Sequence, residues 1–160
     1  FQAEDGIRDP EMARGLGDVY KRQVIEVFFT ADYMDEPGMF LPFTDVPAGC
    51  WYTDAIVWAA QNGIVCGFGD GTFRPNEAVT RAQAAVMLYG YAAFTGADVT
   101  ARADLSAYSD AGQIPSWAMD AMQWANARRL IVGRDSSHLA PNGGATRAEM
   151  AAILSAYIGK

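Results

Sequence analysis

The sequence predicts a mostly α-helical protein built from tandem helix–loop–helix repeats of about 66 residues. Three observations predict it. A set of residues recurs at one offset: Trp51/Trp117, Trp58/Trp124, Gly67/Gly133, Pro75/Pro141 and Thr80-Arg81-Ala82/Thr146-Arg147-Ala148 are all 66 positions apart. Such self-similarity is the signature of repeat architecture. Apolar residues then recur at three- and four-residue spacing within each copy, the period of a helix with one buried face. Finally, Thr80-x-x-Gln83 and Thr146-x-x-Glu149 are capping boxes, which mark helix starts.

The elements follow in order. Residues 1–23 fit neither copy. They resemble translated sequencing-adapter read-through, with a polar, disordered linker as the other reading. With Phe1 in place of Met, the sequence reads as a fragment. Residues 24–42 read as the remnant of an earlier repeat, its second helix (Val24 to Tyr33) and a linker. Residues 43–104 form the first full copy and 105–160 the second.

Each copy opens on an aromatic-Ser/Thr-Asp element, Phe43-Thr44-Asp45 or Tyr108-Ser109-Asp110. A first helix is expected over Trp51–Asn62, with Asp54 near its positive end and Gly63 terminating it. Its counterpart runs from Trp117 to Arg129, with Ser116 as N-cap. The glycine-rich stretch after it is a loop, with one short strand at Ile64-Val65. The capping boxes open second helices that reach about Phe94 and Tyr157. Their apolar faces carry Ala82, Ala85, Val86, Leu88 and Tyr89, and Ala148, Ala151, Ile153 and Leu154. Two short helices bury little surface alone, so neighbouring units must pack together.

Composition narrows the function classes. The 19 acidic and 12 basic residues give a net charge of -7, which argues against bulk binding to nucleic acid or anionic lipid. No run of about 18 apolar residues suggests membrane insertion. One histidine and two cysteines cannot assemble a zinc set, and a nucleophilic triad would have to use His138, whose polar-loop setting argues against it. An EF-hand register on the Gly-Asp-Gly loop puts Cys66 and Phe68 at ligand positions, which excludes calcium there. No metal or cofactor is expected. Cys66 has Val132 as counterpart and is expected to be buried, with a Cys50–Cys66 disulfide as the alternative.

Phe-Thr-Asp-Val-Pro, Trp-Tyr, Asn-Gly-Ile-Val-x-Gly, Gly-Asp-Gly-Thr-Phe-Arg-Pro-Asn and Val-Thr-Arg-Ala-Gln, in that order and largely repeated, resemble the S-layer homology repeat. The resemblance implies three repeats in a pseudo-threefold bundle, here truncated at the N-terminus. It implies a non-catalytic module that holds a surface protein on a bacterial cell wall. The implied ligand is a secondary cell-wall polysaccharide, often pyruvylated, bound in grooves between repeats. It implies an extracellular location. A protein-interaction or self-assembly module is the alternative. The copies depart from the pattern at Gln83, where Glu is usual, and in the Asp135-Ser136-Ser137-His138 loop.

Arg81 and Arg147 are the sharpest candidate ligand residues. Each is the first residue of a helix, where the dipole opposes a cation, and a guanidinium matches a carboxylate bidentately. The competing role is a salt bridge to Asp45 or Asp110. Trp51 and Trp117 offer flat faces to a sugar ring or pack as core; Trp58 and Trp124 are expected in the core. Asp45 and Asp110 orient the arginines or accept sugar hydroxyls. Gly67 and Gly133 permit close backbone approach or positive φ. Thr80, Gln83, Thr146 and Glu149 cap the helices.

Overall fold

The computed structural model describes residues 41–159; residues 1–40, including the expected remnant at 24–40, lie outside them. Four α-helices follow in order: α1 (Thr53–Gln61), α2 (Arg81–Phe94), α3 (Met119–Ala127) and α4 (Arg147–Ile158). Short 3-10 turns at Ala111–Gln113 and Ser116–Ala118 precede α3. Among the described residues there is no strand; the expected strand at Ile64-Val65 is irregular chain, and only an isolated bridge joins Thr80 to Gly144. The Ile64 and Val65 amides both turn back to Ala59 O, so neither is available to a ladder.

The first helix of each copy starts two residues after its tryptophan. Ala118 N–H donates to Pro115 O and Thr53 N–H to Cys50 O, closing three-residue turns ahead of the α-helices. The expected cap Ser116 therefore lies inside a 3-10 turn, and no side chain caps α3. Thr53 Oγ1 instead donates to Pro47 O and accepts from Cys50 N–H, tying α1 to the preceding loop.

Both first helices end the same way. Ile64 N–H reaches Ala59 O and Gly63 N–H reaches Ala60 O, with Gly63 at φ +69. The second copy repeats this with Leu130 on Ala125 and Arg129 on Asn126, but Arg129 takes the left-handed position, at φ 57. This is the Schellman pattern, which satisfies the last helical carbonyls. Both capping boxes form as expected, at Thr80/Gln83 and Thr146/Glu149.

The repeats fuse through α2 and α3. Ala82, Ala85 and Leu88 of α2 are fully buried, and the core they enter holds Ala121, Met122 and Trp124 of α3. Trp124 is 1% exposed, meets Tyr89 edge-on at 5.6 Å, and donates its indole N–H to Asp98 O. A second core surrounds α1, built from Phe43, Val46, Ile56, Ala59, Ile64 and Phe73. Trp58 is half-buried there, edge-on to Phe94 at 5.2 Å.

The equivalent face of α4 is open. Ala148 and Ala151, expected in the core, are exposed, whereas their counterparts Ala82 and Ala85 are buried. The cause is positional: α2 has α3 to pack against, and no described element follows α4. Among the described residues, no helix is long and apolar enough to cross a membrane.

Candidate functional site

The aromatic-Ser/Thr-Asp element folds each loop. In the first copy Thr44 N–H donates to Gly71 O, and Asp45 accepts from Phe73 N–H (2.8 Å) and Arg74 N–H (2.6 Å). In the second, Ser109 N–H donates to Ser137 O, and Asp110 accepts from Leu139 N–H (2.8 Å) and Ala140 N–H (2.7 Å). Arg74 and Ala140 both hold positive φ, at 55 and 51. Each aspartate thus spans two consecutive amides, one on a left-handed residue, and keeps the loop from relaxing. The amide of Leu139, then that of Ala140, hold the Asp110 carboxyl below its ordinary range against its burial.

Glycine is required where the aromatic lands. A Cβ on Gly67 would lie 2.4 Å from Phe43 Cε1 and 2.6 Å from Thr72 O, and its φ is +63. A Cβ on Gly133 would lie 2.4 Å from Asp135 O and 2.7 Å from Tyr108 Cε1. Gly67 meets both expectations, positive φ and close approach; Gly133 meets the second.

Arg81 runs across the repeat boundary and is 4% exposed. Its Nε donates to Leu139 O at 2.8 Å, Nη2 to Val132 O, and Nη1 to Glu149 Oε1 at 2.8 Å. Its salt bridge is therefore with Glu149, while both oxygens of Asp110 take loop amides. The backbone is stitched as well: Arg81 N–H donates to Gly143 O, Ala82 N–H to Pro141 O, and Ala145 N–H to Val79 O. Carbonyls of the second repeat thus occupy the first two amides of α2, which an anion would otherwise use. Desolvation lowers the Arg81 pKa, opposed by the charge of Glu149. The guanidinium stays charged at any physiological pH.

Glu149 gathers four donors. Oε1 accepts from Arg81 and from Arg134 Nε (3.2 Å); Oε2 accepts from Thr146 N–H (2.7 Å) and Arg134 Nη2 (3.3 Å). Burial pushes its pKa up, but the hydrogen bonds from Arg134 and Thr146 prevail and bring it down to about 2. Arg147, in contrast, is exposed on α4.

The two tryptophans ahead of the first helices stand outward, Trp51 at 49% and Trp117 at 59% exposure. Neither is core. Trp117 reaches the other repeat: it lines a cavity of about 360 Å³ together with the Cys66–Gly69 loop, Phe73 and Gln83 of the first copy. The structure brings Gly67 and Trp117 to one groove. Arg147 and Asp45 are not among its lining residues. Cys66 is exposed on the groove rim rather than buried, and both cysteines are free thiols. Its counterpart Val132 is exposed as well, so an apolar counterpart did not signify burial. Among the described residues no group of three His, Cys, Asp or Glu side chains could hold a metal ion.

Sequence reasoning treated Glu149 only as a cap and overlooked Arg134. A signal was present: position by position, Arg134 and Glu149 stand where the first copy has Phe68 and Gln83, a paired change of charge.

Comparison with known proteins agrees with this repeat structure. The S-layer homology domain model matches residues 42–85 and 107–151. The Surface-layer 125 kDa protein of Lysinibacillus sphaericus is 35% identical over 146 residues, covering 89% of this chain and 12% of that protein. The outer membrane protein SlpA of Thermus thermophilus is 55% identical over 47 residues, 29% of this chain and 5% of that protein. The amylopullulanase of Thermoanaerobacterium thermosulfurigenes is 34% identical over 113 residues, 70% of this chain and 6% of that protein. The chain thus spans only a small part of the length of these relatives. Its two matched copies, with their shared loop clamps and capping boxes, make it a member of the S-layer homology domain family of cell-surface anchoring modules.

Proposed function

We propose that this chain is a non-catalytic anchor that binds an anionic, pyruvylated secondary cell-wall polysaccharide in the groove between its repeats. One observation carries the reading: Trp117 of the second copy and the Gly67 loop of the first line one cavity. An exposed indole beside a glycine loop suits a pyranose, which stacks its apolar face on an aromatic ring. Residues 24–160 hold 14 acidic and 8 basic side chains, so attraction to a polyanion must be local. Exposed Arg147 is the arginine placed to meet a ligand carboxylate from outside; Arg81 contributes by holding the groove's two walls together.

The test is co-sedimentation of the chain with purified walls. Trp117→Ala and Arg147→Ala are each expected to reduce the pelleted fraction several-fold, and walls lacking pyruvate to retain little. If both variants pellet like wild type, the groove reading fails. Self-assembly is favoured by a separate observation, the open face of α4 with Ala148, Ala151 and Ile158. Under that reading, retention persists on pyruvate-free walls and falls when Ala151 is changed to Glu.

A further inference from the structure

Helix α2 serves both cores. Its Ala82, Ala85 and Leu88 enter the core that holds α3. On another side Gly90 lies against the first copy, where a Cβ would come 2.8 Å from Ile64 O. Met87 sits between these faces. Among the described residues it is the one partly buried side chain that packs against both cores. It also lines the cavity between the Cys66–Gly69 loop and Trp117, so the joint between the cores is open to solvent at this residue.

The second copy fills the same position differently. Ile153 stands there, 66 residues on, and is 4% exposed within one core. The other described methionines differ from Met87 as well. Met122 and Met150 are buried, at 0% and 2% exposure. Met119 is half-buried, packs against one core and is not among the residues lining the cavity. An unbranched thioether adapts to irregular space, which suits a side chain that must fit two cores at once. Its sulfur is also open to a reaction that isoleucine cannot undergo.

That reaction is oxygen transfer. Hydrogen peroxide that enters the cavity meets the Sδ lone pair. An S–O bond forms as the O–O bond breaks, and the second peroxide oxygen leaves as water. The sulfur is oxidised by two electrons and the peroxide is reduced by two. The thioether becomes a polar, chiral sulfoxide. Turned inward, the new oxygen is an acceptor among apolar side chains, which is costly without a donor. Turned outward, it draws the side chain from both cores and leaves a void.

We infer that Met87 is a site of reversible sulfoxidation, at which a hydroperoxide loosens the joint between the two repeats. A module at the cell surface meets such oxidants from outside the cell. Methionine sulfoxide reductases, with a thiol as reductant, remove the oxygen again. The assignment is independent of which ligand the groove takes.

The experiment treats the whole chain with dilute hydrogen peroxide and follows each methionine by peptide mass. Met87 is expected to gain oxygen about tenfold faster than Met122 and Met150, and ahead of Met119. Urea denaturation of the oxidised chain, read by tryptophan fluorescence, is expected to show an unfolding constant about tenfold larger than before treatment. Met87→Leu conserves volume and removes the sulfur. After the same treatment this variant is expected to unfold as its own untreated form does, which separates Met87 from Cys66 and the other methionines. Reductases for both sulfoxide epimers are expected to restore the wild-type curve. Oxidation of Met87 no faster than that of the buried pair, or first at Met119, overturns the proposal. So does an oxidised wild type with an unchanged curve, a shift that the reductases leave in place, or a Met87→Leu variant that shifts as much as wild type.

Discussion

Arg81 and Glu149 form an ion pair at 2.8 Å that joins the start of α2 to the start of α4, across the boundary between repeats. Arg81 is almost fully buried, and Glu149 is partly exposed and shared with Arg134. Three acceptors on the second repeat thus converge on one guanidinium of the first. The same geometry explains a cation at a helix start, where the dipole disfavours it. The side chain leaves the helix for carbonyls and a carboxylate that belong to the neighbouring copy.

Arg81→Ala strands the Leu139 and Val132 carbonyls and removes one of the two arginines on Glu149. Truncating one partner of a buried pair costs about 3–5 kcal/mol. The lower end applies here, because Arg134 remains. Arg81→Lys restores the charge but not the fork that serves three acceptors, and recovers less than half. Urea denaturation of both variants measures this; a loss below about 1 kcal/mol for the alanine variant contradicts the clamp.

Glu149 sets an acid limit on the fold. Its folded-state pKa, about 2, lies below the ordinary 4.5. A depressed carboxyl stabilises the folded state above its unfolded pKa and loses that contribution as pH falls through the folded one. Stability is therefore expected to decline between about pH 4.5 and 2. Glu149→Gln should flatten that decline relative to wild type while lowering stability at neutral pH. Parallel pH profiles for the two proteins would exclude Glu149 as the source.

Asp110 and Asp45 each satisfy two consecutive loop amides. Leaving such a donor unmet costs about 1–3 kcal/mol when it is buried. Asp110→Ala is expected to cost about 2–3 kcal/mol. Asp110→Asn retains one acceptor and should cost less. Hydrogen exchange at Leu139 and Ala140 reads the same event directly, since both amides should lose protection in the alanine variant.

Arg129 occupies the left-handed position that Gly63 fills in the first copy. A side chain there costs about 1 kcal/mol relative to glycine. Arg129→Gly is therefore expected to stabilise the protein by about 1 kcal/mol, read as a rise in the thermal midpoint. Gly63→Arg should lower it by a similar amount. An unchanged midpoint in both would show that neither site is strained.

Much of the fold was legible because it is local. Thr80-x-x-Gln83 and Thr146-x-x-Glu149 carry their own capping chemistry, and both boxes form. Gly63 follows a helical stripe and ends α1. The loop glycines were legible in type, since both stand where an aromatic ring leaves no room for Cβ. What was not legible concerns partners far apart in the chain. Trp51 and Trp117 fit a helical stripe by spacing, yet three-residue turns at Cys50 and Pro115 delay each helix and turn the indoles outward. Ala148 and Ala151 match the buried Ala82 and Ala85 in sequence, but burial depends on a neighbour, which α2 has in α3 and which, among the described residues, does not cover these alanines of α4.

The 66-residue offset and the capping boxes, read from the sequence alone, determined that this is a helical repeat protein, where the second helix of each copy begins, and which loop residues are shared by both copies. Those features depend on contacts within a few residues, or on a pattern present twice. Only the tertiary structure decided what the repeats do to each other. It buried Arg81 against Leu139, Val132 and Glu149, and set Trp117 over the loop of the preceding copy. Identical motifs thus reach different ends, because each copy's environment is supplied by the other, and a local pattern carries no information about which surface will cover it.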